Sequence, residues 1–174
     1  DWCNIDLNSS WSSAMSTPMN HASEFYMLDS NNNWYEVIEI EIPNTITKIG
    51  NCQFSGFDNI IKVIIPNSVT SIGKQAFEDC INLTNINIPS SVTSIGSKAF
   101  DYCESIINIE IPSSVTNIGS STFANCTSLV SVEIPSSVTN IGSSTFANCT
   151  SLVSIEIPSS VTSIGEEAFY NCTS

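Results

Sequence analysis

The chain has 174 residues, seven cysteines, one histidine, and seventeen acids against four lysines and no arginine, for a formal net charge of −13. So acidic a chain lacks the groups that neutralise phosphates, which argues against nucleic acid and anionic membrane as partners. No run approaches the ~18 consecutive apolar residues of a membrane span, so direct membrane insertion is not expected. Only 12% of residues are charged while 41% are hydrophobic, so serine, threonine and asparagine supply most of the polarity.

Residues 1–33 obey no repeat and read as an irregular insertion or a cap-like segment. Thr17-Pro18 has the chemistry of a helix start, with Thr17 as cap and Pro18 at the first helical position, which predicts a short turn of helix over 18–24. Phe25-Tyr26-Met27-Leu28 predicts a strand, and Asp29 to Asn33 a turn-forming stretch leading into Trp34 and Tyr35. A hairpin there would shield the open apolar face of the first repeat.

From residue 34 to 174 a 23-residue unit recurs about six times. Pro43, Pro66, Pro89, Pro112, Pro135 and Pro158 mark it, each preceded by isoleucine. A fixed period in the twenties means a solenoid, in which each unit buries its apolar face against its neighbours. The aligned pattern is Leu-x-x-Ile-x-Ile-Pro-x-x-Val-x-x-Ile-Gly-x-x-Ala-Phe-x-x-Cys. Leu-x-x-Ile-x-Ile alternates inward and outward and is rich in β-branched residues, so it predicts a short strand that proline ends. The glycine after the second isoleucine (Gly50, Gly73, Gly96, Gly119, Gly142, Gly165) implies either a positive φ or a close approach to the next coil. The Ala-Phe segment is too short for a full helix and predicts a helical or 3₁₀ turn whose phenylalanine plugs the coil. Residues 113–135 and 136–158 differ only at Val132 against Ile155.

These signatures recur together, as in SSVTSIGSKAFDYCESIINIEIP (90–112), and the pattern resembles the BspA-like, or Treponema-type, leucine-rich repeats. The resemblance implies leucine-rich-repeat coils with a parallel β-sheet on one face and short 3₁₀ or helical turns or loops on the other. It implies an extracellular or cell-surface protein that adheres to host or neighbouring-cell proteins. It also suggests that 1–33 is an insertion inside a longer array. The last repeat stops at Asn171-Cys172-Thr173-Ser174, where its next strand is due, so the chain reads as a fragment of such an array.

Cys80, Cys103, Cys126, Cys149 and Cys172 share one repeat position, where the first unit has Phe57. Phenylalanine fills an apolar slot but ligates nothing, so the column reads as buried free thiols. A zinc site would need paired Cys-x-x-Cys or histidine partners. A bridge between Cys3 and Cys52, which lie outside the column, stays open.

Between the two inward isoleucines, the outward strand position reads Glu41, Ile64, Asn87, Glu110, Glu133 and Glu156. Beside it run Glu39, Lys62, Asn85, Asn108, Ser131 and Ser154. The candidate ligand-binding strip is Glu110, Glu133, Glu156, Asn87, Asn108, Ser131 and Ser154, suited to a basic protein segment or a cation. The alternative is a solvated face kept charged against edge-to-edge aggregation. A flat glutamate file supplies calcium poorly, since calcium needs converging oxygens. Equivalent carboxylates also make a poor glycosidase pair, which needs unlike environments. His21 has no motif partner for a hydrolase triad, and each repeat glycine stands alone, without a phosphate-cradling loop. No catalytic residue, metal or cofactor is expected. Asn-x-Ser/Thr occurs at Asn8, Asn82, Asn125, Asn148 and Asn171, sites for glycans in a eukaryotic secretory pathway. Two functions follow: a non-enzymatic module binding another protein on its sheet face, or a structural spacer that self-associates head to tail into fibres.

Overall fold

A computed structural model of the protein describes residues 26–28 and 34–173. Strands β1 (Tyr26–Leu28) and β2 (Trp34–Glu36) pair antiparallel, with Met27 opposite Tyr35, forming the hairpin that the turn-rich 29–33 stretch predicts. The helical turn predicted over 18–24 lies outside the described residues.

Each repeat then contributes one three-residue and one two-residue strand. In chain order these are β3 (Glu39–Glu41) and β4 (Lys48–Ile49), β5 (Lys62–Ile64) and β6 (Ser71–Ile72), β7 (Asn85–Asn87) and β8 (Ser94–Ile95), β9 (Asn108–Glu110) and β10 (Asn117–Ile118), β11 (Ser131–Glu133) and β12 (Asn140–Ile141), and β13 (Ser154–Glu156) and β14 (Ser163–Ile164). Every pairing between coils is parallel and shifted by one repeat, as at Ser131↔Ser154, Val132↔Ile155 and Glu133↔Glu156. The two-residue strands form one six-stranded sheet, whereas the longer strands fall into two sheets, β3-β5-β7 and β9-β11-β13. The repeat protein is thus a solenoid with parallel sheets, as the period requires.

Inside, one residue type from each coil stacks on the next. The rings of Phe54, Phe77, Phe100, Phe123, Phe146 and Phe169 lie 5.2–5.6 Å apart between centroids and within 12° of parallel. The glycine column is explained by close approach and not by φ. A Cβ on Gly142 would sit 2.5 Å from the Ser120 nitrogen, and one on Gly165 2.3 Å from that of Ser143. No member of the column has a positive φ; Gly56, outside it, does.

The Ala-Phe segment is a run of turns, and no helix forms there among the described residues. Two residues per coil are left-handed: Cys52, Gln75, Lys98, Ser121, Ser144 and Glu167 in one column, and Gly56, Asp79, Tyr102, Asn125, Asn148 and Asn171 four positions on. A left-handed residue every fourth position breaks a right-handed helix. It also turns amides outward, so that Phe100 N–H donates to Thr122 O at 2.9 Å and Phe123 N–H to Thr145 O at 2.9 Å. Each coil is thereby hydrogen-bonded to the next on this side as well.

Candidate functional site

Four of the five thiols of the column are shut away from chemistry. Cys80, Cys103, Cys126 and Cys149 are buried and free, and each Sγ donates to the phenylalanine carbonyl of the preceding coil, as in Cys103 to Phe77 O at 3.1 Å. Burial pushes the Cys80 and Cys149 thiols up to about 12, and those of Cys103 and Cys126 well above the ordinary range. A thiol held protonated is neither nucleophile nor metal ligand. Cys52 is also free, its thiol exposed. No cluster of His, Cys, Asp and Glu among the described residues could hold a metal ion.

Three of the five sequon asparagines, Asn125, Asn148 and Asn171, belong to a ladder. Asn125 Nδ2 donates to Asp101 Oδ1 at 2.8 Å, Asn148 Nδ2 to Asn125 Oδ1 at 2.8 Å, and Asn171 Nδ2 to Asn148 Oδ1 at 3.1 Å. The nitrogen that would carry a glycan is therefore a donor between coils. Asp101, only 2% exposed, anchors the ladder and pairs with Lys98 at 3.2 Å. That hydrogen bond, with the Asp101 charge, raises the Lys98 ammonium above its usual range. Asn82 is exposed, with its amide on Asp58 O at 2.7 Å; Asn8 lies outside the described residues.

The sheet face gathers the remaining candidates. Glu110, Glu133 and Glu156 are exposed and in direct register across β9, β11 and β13. Asn108, Ser131 and Ser154 form the parallel polar file, with Ser131 Oγ donating to Asn108 Oδ1 at 2.8 Å. Asn87 is exposed at the matching position of β7, which belongs to the other sheet. There the face carries the only ion pair of the strand files among the described residues, Lys62 Nζ to Glu39 Oε2 at 3.0 Å.

One column escaped the repeat pattern. The residue just before each three-residue strand is Ile38, Ile61, Thr84, Ile107, Val130 or Val153, and all five apolar members are exposed, Ile107 at 52% and Val153 at 67%. The signal was the Leu-x-x-Ile spacing itself: two inward residues three apart, such as Ile106 and Ile109, break strict alternation and leave both residues between them outward. Around β9, β11 and β13 the face therefore presents three parallel files: apolar, small polar and acidic.

Such geometry defines a leucine-rich-repeat solenoid. A family model described as BspA type Leucine rich repeat region matches residues 30–126, with six copies. The chain belongs to that family. No curated protein matches it in sequence. Among solved structures, a leucine-rich repeat protein from Bacteroides ovatus superposes with a TM-score of 0.70 at 26% identity, covering 84% of this chain and 47% of that one. The leucine-rich repeat protein of T. pallidum gives 0.67 at 26% identity, covering 90% and 88%. A leucine rich cell surface protein from Faecalibacterium prausnitzii gives 0.62 at 28% identity, covering 87% and 51%. This chain therefore spans about half the length of the Bacteroides and Faecalibacterium proteins.

Proposed function

We propose that the chain is a non-enzymatic binding module that recognises another protein, on a host or neighbouring cell, through the outward face of β9, β11 and β13. The observation that carries this reading is the exposed, in-register triad of apolar, polar and acidic files on one regular sheet. Solenoids present extended surfaces of this kind to partners. Burial and the hydrogen bonds to phenylalanine carbonyls suit the thiol column to packing and not to nucleophilic chemistry. A site of action outside the cell or at its surface is supported by the likeness to the Faecalibacterium cell-surface protein. In a pull-down from host or neighbouring-cell surface extracts, Glu110→Lys/Glu133→Lys/Glu156→Lys should lose capture at least about tenfold while melting like the parent, because reversed charges block encounter and docking. Unchanged capture would move the site elsewhere.

A further inference from the structure

Resting on the sheet-face reading, we infer that the occupant of the β9-β11-β13 face is a cationic amphipathic α-helix lying along the solenoid axis, across the strands. Three features of the face select it. The charge is the first: no lysine or arginine follows Lys98, while seven acids do, so this half of the molecule offers carboxylates without competing cations. The second is width. The apolar file (Ile107, Val130, Val153), just before each strand, and the acidic file (Glu110, Glu133, Glu156), at its end, are three residues apart, at most about 10–11 Å of extended chain. A helix with its side chains is about 10–12 Å across, so it rests on the small Ser131 and Ser154 and touches a file on either side.

The third feature is pitch. Successive coils advance by about 4.8 Å, so two steps from Glu110 to Glu156 span about 9.6 Å. Two helical turns rise about 10.8 Å, leaving about 1.2 Å to absorb. Two same-face steps of an extended strand rise about 13 Å and fall out of step by more than 3 Å. One basic residue per helical turn therefore meets one glutamate per coil. An apolar residue one position away, about 100° around the helix, meets Ile107, Val130 or Val153. Those side chains gain apolar burial while the ion pairs at the rim set orientation.

The test uses the whole chain and two synthetic peptides of identical composition, followed by fluorescence anisotropy at low and moderate salt. In one, a Leu-Lys pair recurs every turn of an alanine-based helix; in the other, leucine and lysine alternate singly. The helical peptide should bind at least about tenfold more tightly than its isomer. That preference should vanish in Glu110→Gln/Glu133→Gln/Glu156→Gln and in Ile107→Ser/Val130→Ser/Val153→Ser, variants of exposed residues whose melting curves check the fold. Equal or tighter binding of the alternating peptide, abolished by the same substitutions, overturns the helix and leaves the sheet face standing. Binding indifferent to both variants overturns the helix and the face together. No binding of either peptide overturns the helix, and the pull-down then decides the face by itself.

Discussion

Phe123 sits between Phe100 and Phe146, with ring centroids 5.5 and 5.6 Å away, and is fully buried. Phe123→Ala should cost about 3–5 kcal/mol, the lost transfer energy plus the cavity that two rigid neighbouring rings cannot close. Phe169, at the last coil, stacks on Phe146 alone and is only partly buried, so Phe169→Ala should cost clearly less. Urea unfolding of the two variants checks the pair, and equal losses would mean that stacking position does not matter. The phenylalanine and isoleucine columns were legible because a fixed period places equivalent residues in equivalent environments. The left-handed columns were not. Gly56, Asp79, Asn125, Asn148 and Asn171 share a taste for positive φ, but Tyr102 in the same column hides it, and the Asn-Cys-Thr sequence reads more readily as a sequon. The glycine column admits φ or proximity from sequence alone; the approach of the Ser120 and Ser143 nitrogens decides for proximity.

Strand pairing is uniform except at one seam. Between β7 and β9 the long-strand ladder stops, and β8 meets β10 only at Ile95 opposite Ile118. Val130 N–H donates to Ile107 O, Thr139 N–H to Thr116 O and Gly142 N–H to Ile118 O, yet the equivalent donations by Ile107, Thr116 and Gly119 are not made. Consistently, a Cβ on Gly119 would clear the preceding coil by 3.0 Å, against 2.6 Å or less at Gly73, Gly96, Gly142 and Gly165. The turn side stays closed, with Lys98, Phe100 and Tyr102 all donating to the next coil. Hydrogen exchange should therefore find the Ile107, Thr116 and Gly119 amides faster than those of Val130, Thr139 and Gly142 by about tenfold or more, since amides without ladder partners need no global opening. Equal protection would mean the seam closes in solution. Among the elements, the hairpin and the three-residue strands were legible from turn chemistry and alternation. The two-residue strands were too short to show a period, and the turns expected at Ala-Phe stop short of a helix because of left-handed residues that the pattern does not mark.

Charge governs the molecule at the largest scale. Seventeen acids against four lysines give −13, and two copies so charged repel until salt shortens the Debye length to about 8 Å or less. Multi-angle light scattering of the 174-residue chain should therefore give 18.8 kDa at low salt. Cys80, Cys103, Cys126 and Cys149 are buried, so a heavier species that reductant dissolves would trace to another thiol, such as exposed Cys52, and not to association of the coils. A mass that climbs with salt and concentration and ignores reductant would favour the self-associating spacer over the binding module. A monomer at every salt and concentration would count against the spacer and leave the sheet face as the surface to pursue.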